Sequence, residues 1–402
     1  MVRRSVLAMF AVMAIVLGGV VVSTPAGAVV DSAVVVPSPN AGNSIDRMSS
    51  AACVSEAWCV AVGFTSTDSG NVTLIEMWNG TEWSVVSSPN TGASDSVLSS
   101  VSCLSVSSCT AVGDSTSMGP RNSLVEVWNG IEWSVVSSPG AGSFRSDELK
   151  SVSCVSVSDC VAVGYTSGGF GSETLVMVLD GSVWSIVSSP NAGTSDDELF
   201  SVSCVSVSEC VAVGSTNTGS ATETLVMVWD GSVWSIVSSP NAGTINDELF
   251  SVSCVSVSEC VAVGYMDTGS VDETLAMVWN GSAWSIVSSP NAGTIFDALN
   301  SVSCVSGSDC VAVGLTYTGS AYETLVIVWN GMVWSIVSSP TAGSINDVLF
   351  SVSCVSGSDC VAVGHTDTGN NVRETLVMSL TGPVPPSTTT APSDQVAPAF
   401  TG

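Results

Sequence analysis

The phrase SVSCVSVSECVAVG, which begins at Ser251, recurs with small changes seven times along the chain, and its cysteines return every 50 residues with a single interval of 51 between Cys103 and Cys154. This period constrains the fold more than any other feature. A unit of that size is one supersecondary element that can bury an apolar face only against its neighbours, and a repeat near fifty residues falls in the range of propeller blades.

One unit runs from Leu249 to Asn291, as LFSVSCVSVSECVAVGYMDTGSVDETLAMVWNGSAWSIVSSPN. Four strands are predicted in it. Leu249 to Val255 sets Phe, Val and Cys against serines, and Cys260 to Gly264 alternates valine with small residues. Thr274 to Trp279 is apolar on both sides, as a strand between two layers should be, and Trp284 to Ser288 ends ahead of Pro290. Asn280-Gly281 joins the last two as a tight turn, and Asn-Gly or Asp-Gly returns there in the units starting at Asn79, Asn129, Asp180, Asp230 and Asn330.

The seventh unit stops at Gly382 after three strands, whereas AVVVPSPNAG, Ala33 to Gly42, matches the WSIVSSPNAG that ends the inner units. The expected fold is therefore all-β, a seven-bladed β-propeller with four antiparallel strands per blade, whose ring is closed by an N-terminal strand that completes the last blade. An open solenoid would carry caps at its ends instead. At the join, Ala33 and Leu380 stand where the inner units have paired tryptophans such as Trp279 and Trp284, as suits a packing role for those rings.

The chain opens with MVRRSVLAMFAVMAIVLGGVVVSTPAGA, read as a signal peptide of residues 1–28 cut after Ala28, with an uncleaved membrane anchor as the alternative. Residues 29–382 form the propeller. The Pro, Thr and Ser-rich stretch 383–402 is expected to be a disordered tail. The mature protein is read as secreted, extracellular or associated with the cell envelope, without membrane insertion and as a monomer.

An even set of cysteines in an exported chain implies disulfides. The pairs are Cys53 with Cys59, Cys103 with Cys109, Cys154 with Cys160, Cys204 with Cys210, Cys254 with Cys260, Cys304 with Cys310, and Cys354 with Cys360, one hairpin bridge per blade. A zinc site would need four converging ligands, and the chain has one histidine, His365. Without the leader the chain carries five basic residues against 35 acidic ones, a net charge near −30. Such a surface excludes nucleic acid as a partner.

The order of strand, VAVG, variable loop, third strand, turn, and Trp followed by Pro resembles a kelch-type repeat, and so the central domain of galactose oxidase. The double glycine usual in that family is missing, since Gly264 precedes Tyr265 and Gly214 precedes Ser215. The unit is more similar to repeats of secreted actinobacterial proteins, a resemblance that implies a fold and no activity. A copper site of the galactose oxidase kind needs clustered Tyr and His, which a chain with four Tyr and one His cannot assemble. A sialidase site needs converging arginines, whereas Arg47, Arg121, Arg145 and Arg373 are expected on loops of four different units.

One face of the propeller would combine the loops between second and third strands with those joining successive blades. There Asp46, Asp95, Asp147, Asp197, Asp247, Asp297 and Asp347 form an acidic series, near Glu173, Glu223, Glu273, Glu323 and Glu374. No cofactor is expected, although calcium could sit on such a series; no metal ligand is assigned, and an Asp bonding the amides of its own loop is the plainer role. The repeat is broken by Arg121, by Phe144 with Arg145, and by Tyr165 and Phe170. Together with Asp197 and Asp247 these are the candidate ligand-binding residues, because scaffolds carry specificity on loops. The expected function is a non-enzymatic binding module for an extracellular protein or polysaccharide. The alternative is an extracellular glycan hydrolase or lyase working through carboxylates alone.

Overall fold

The structure, a computed structural model, describes residues 30–382 apart from 43, 44, 91, 118, 143, 170, 194, 344, 370 and 371. The leader, the tail and Phe170 lie outside the described residues. Within them the chain is all β and contains no helix.

The alternating phrase folds as expected, with the first three strands slightly longer than their signals and the fourth one residue shorter. In the fifth unit they are Asp247–Ser256, Glu259–Asp267, Asp272–Trp279 and Trp284–Val287, hydrogen-bonded antiparallel in that order. The same four-stranded order recurs in each of the seven units, and a single parallel pair, Asp272 with Phe296, joins the fifth and sixth into one larger sheet. The seventh takes its fourth strand from the start of the chain: Ser32–Val36 pairs antiparallel with Val372–Thr381, and Ala33 faces Leu380. That is the register in which Trp279 faces Trp284.

Each first strand carries a bulge, which in the fifth sheet falls between Leu249 and Ser251. The bulge releases Phe250 from the ladder and drives the Glu248 carbonyl toward the second strand. A Cβ on Gly264 would lie 1.9 Å from that oxygen, so the glycine of every VAVG is needed for a close backbone approach. Beyond the bulge Cys254 stands opposite Cys260 with Cα atoms 4.0 Å apart, and all seven disulfides form in this way.

The serines of the repeated phrase link the sheets. Ser251 Oγ accepts from the amide of Val302 at 3.1 Å, and Ser253 Oγ from that of Cys304 at 3.0 Å, both in the first strand of the next sheet. The pair recurs between the third and fourth sheets through Ser151 and Ser153, and between the seventh and the first through Ser351 and Ser353. Between the first and second only Ser50 remains, because Ala52 replaces the other serine. The first strand is thus the innermost of each sheet, and its inward-facing amides are satisfied by side chains.

Apolar cores fill the spaces between sheets. Val161, Val163 and Val176 of the third pack on Leu199, Val202, Ala212, Leu225 and Met227 of the fourth. Val363 and Val377 of the seventh pack in the same manner on Met48, Ala61 and Leu74 of the first.

Candidate binding face

Antiparallel order places the turns between second and third strands on one face with the loops that connect sheets. The two are bonded together there: the amide of Asn71 donates to Asp95 Oδ1 at 3.1 Å, and that of Thr222 to the Ile245 carbonyl at 3.1 Å. The disulfides and Asn-Gly turns occupy the other face. On it Trp279 Nε1 donates to the Val257 carbonyl at 3.1 Å, and its ring lies 5.7 Å from that of Trp284, which is buried. These tryptophans pack across the hairpin.

The aspartate series clamps its own loops. Asp247 accepts from the amides of Ala242 at 2.8 Å and Gly243 at 2.9 Å, and Asp197 from Ala192, Gly193 and the Thr216 hydroxyl. Burial raises the Asp247 pKa against those bonds. Asp95 does not belong to the series, since the register puts Ser96 at the place held by Asp147 and Asp247. Among the described residues no group of three or more His, Cys, Asp or Glu side chains is placed to hold a metal ion.

Of the other candidate residues, two converge. Arg121 contacts Asp114 and approaches Asp95 at 3.8 Å and Glu148 at 3.7 Å, while the Tyr165 hydroxyl donates to Glu148 at 2.9 Å. Lys150 completes the cluster, 2.8 Å from Glu148. Burial alone would raise the Glu148 carboxyl, but Lys150, Tyr165 and Arg121 hold it below the usual range. Asp114 moves the other way because its burial outweighs the Arg121 charge. Arg145 turns aside to Thr166 and to Glu173 at 2.9 Å, and Phe144 projects into solvent at 91 % exposure. Asp197 and Asp247 remain in their own loops.

Two of the four arginines are not on loops. Arg47 lies within the innermost strand Asp46–Ser55, its guanidinium 3.8 Å from the centre of the Phe350 ring, and Arg373 lies within Val372–Thr381, 2.8 Å from Asp367.

The sequence reading missed the residues released by the bulges: Ser49, Ser99, Lys150, Phe200, Phe250, Asn300 and Phe350, all half-buried. Phe200, Phe250, Asn300 and Phe350 reach a neighbouring innermost strand, whereas Lys150 bonds Glu148 of its own. Phe200 lies 5.8 Å from Phe250, and Asn300 Nδ2 donates to the Leu349 carbonyl at 2.7 Å. A signal was present, because this is the variable letter within LKSVSC, LFSVSC and LNSVSC. Glu76 and Glu126 were missed as well. They stand where later units have Met177, Met227 and Met277, and both are fully buried. Burial, with Asp46 adding to it, pushes the Glu76 carboxyl up to about 8. Burial raises Glu126 to about 7, against hydrogen bonds from Ser88 and Thr73.

No protein-family model matches the chain, and no curated protein sequence does. Among solved structures it is similar to YCF48 bound to D1 peptide, with 14 % identity and a TM-score of 0.52 over 89 % of this chain and 99 % of that one. It is also similar to the WD40 β-propeller domain of Doa1, with 12 % identity and a TM-score of 0.50 over 87 % and 97 % of the two chains. At such identities the likeness concerns the fold, which is that of a β-propeller.

Proposed function

We propose that this chain is an exported seven-bladed propeller with a closed ring, which acts as a non-enzymatic binding module through the face that carries the inter-sheet loops. Closure is supported by the bonds from the amides of Ala51 and Cys53 to Ser351 and Ser353. Export is supported by the seven disulfides, which need an oxidising compartment, and among the described residues no helix is long and apolar enough to cross a membrane. On this reading residues 1–28 are removed, 383–402 serve as a spacer, and the protein is a monomer.

One observation carries the assignment. The disulfide face varies in apolar, polar and acidic residues, as at Thr81, Ile131 and Met332, but carries no Lys or Arg, whereas Arg47, Arg121, Arg145, Lys150 and Arg373, every Lys and Arg among the described residues, gather on the loop half of the molecule. Charge varied on one face of a repeated scaffold is what a specific partner requires. The partner is an extracellular protein or polysaccharide. The YCF48 structure, which holds a peptide, adds weight to the protein.

A carboxylate hydrolase is the second reading, favoured by Asp114 and Glu148, whose acidities are displaced in opposite directions beside one arginine. The test is binding of the oxidised mature chain to glycan and peptide arrays, with and without calcium, followed by a search for released sugar. Binding lost on Arg121→Ala without product supports the module. Release of sugar lost on Asp114→Asn supports the hydrolase, and a chain that binds nothing through this face overturns the assignment.

A further inference from the structure

The acids of the loop face fall into two groups. In the third and seventh sheets Lys150, Arg145 and Arg373 neutralise Glu148, Glu173 and Asp367. From residue 151 to residue 372 the sequence contains no Lys or Arg, so the fourth, fifth and sixth sheets supply no cation to their own carboxylates, and Lys150 of the third acts on Glu198 alone of the three acids at the ladder.

Six aromatic rings run across these same sheets in one unbroken series. Phe200 meets Phe250 at 5.8 Å, Phe250 meets Tyr265 at 5.6 Å, and Tyr265 meets Phe296 at 6.2 Å. Phe296 then meets Tyr322 at 6.2 Å, and Tyr322 meets Tyr317 at 5.0 Å. The series begins at the innermost strands and ends at the turn between Asp309–Tyr317 and Tyr322–Trp329. Glu248 is tied to it by the Tyr265 hydroxyl at 3.0 Å, and Asp272 by its register pairing with Phe296.

We propose that this aromatic ladder, edged by Glu198, Glu248 and Asp272, seats an extended segment of a protein partner through its Lys or Arg side chains. This deepens the binding reading given above and rests on it. A ring face attracts a cation through its quadrupole, most strongly where water is partly excluded, and an adjacent carboxylate adds direct charge. Alternate side chains of an extended segment are about 6.6 Å apart, close to the step of the ladder. Burial raises the carboxyl pKa values of Glu198, Glu248 and Asp272, so an arriving cation would relieve the cost of ionising them. Arg47 on the Phe350 ring already makes the same kind of contact within the molecule. A neutral sugar would draw nothing from the charge.

The test uses the oxidised mature chain and a short peptide alternating glycine with arginine, read by fluorescence anisotropy, with a glycine–glutamate peptide and a neutral oligosaccharide as comparisons. The arginine peptide should bind, more weakly as salt rises. Phe250→Leu, which keeps apolar bulk and removes the ring, should weaken it about fivefold. Glu248→Gln should weaken it at least as much, while Glu82→Gln with Glu132→Gln, on the opposite face, should change it less than about twofold.

Equal losses in all variants would mean attraction to net charge alone and would overturn the seat. So would failure of the arginine peptide to bind, or a preference of the ladder for the oligosaccharide. If the arrays give a ligand that is lost on Arg121→Ala yet unaffected by Phe250→Leu, the face binds and this seat is wrong. If no ligand depends on the face, the binding reading itself falls.

Discussion

The amide of Ala51 donates to Oγ of Ser351 at 3.2 Å, across 300 residues of sequence. The bond is buried, and it repeats at the chain's two ends the link that Ser251 makes to Val302 within it. Ser351→Ala leaves that amide without a partner. The expected cost is about 1–2 kcal/mol, the penalty of an unsatisfied buried donor. A urea midpoint that does not fall would mean that the bond adds nothing to stability.

Each disulfide closes a short hairpin loop within its own sheet, so its loss should be felt locally. Replacing Cys254 and Cys260 together by serine is expected to cost roughly 2 kcal/mol. Amide exchange should quicken in the hairpin formed by Asp247–Ser256 and Glu259–Asp267 and hardly elsewhere. Global loss of protection in the double variant would contradict this.

Glu76 ties stability to pH. Below its ordinary value of 4.5 the carboxyl is protonated in folded and unfolded chains alike, and stability is complete. As pH rises toward the folded value of about 8, the unfolded carboxyl ionises first, and stability falls until both have ionised. At about 1.4 kcal/mol per unit, the shift amounts to a few kcal/mol. Glu76→Met, the residue of the later sheets, should be more stable than the parent at pH about 9 by more than at pH about 5. Parallel pH profiles for the two proteins would show that the carboxyl is not held in this way.

Asp247 keeps its loop by accepting from Ala242 and Gly243. Asp247→Ala should lower stability by about 1–2 kcal/mol. Thermal unfolding of the parent in calcium and in chelator should give the same Tm. A Tm raised by calcium would place a cation on the aspartate series.

Much of the scaffold was legible because it depends on short-range chemistry written seven times. Alternation set the strands, Asn-Gly the outer turns, and the cysteine spacing the hairpin bridges. The unmatched AVVVPSPNAG also named its partner strand, since only the seventh unit lacked one.

The binding face was legible only in part, because its residues meet across sheets. Arg121 and Tyr165 stand out in the sequence, yet it does not say that both reach Glu148, nor that Phe200 of one unit touches Phe250 of the next. Ser251 and Ser253 read as the polar half of a strand, and their role toward Val302 and Cys304 depends on how closely two innermost strands approach. Periodicity determined what each unit becomes, since those contacts lie within fifty residues. The approach of one sheet to the next decided which odd residues share a surface, because side-chain interactions act over a few ångströms whatever the separation along the chain.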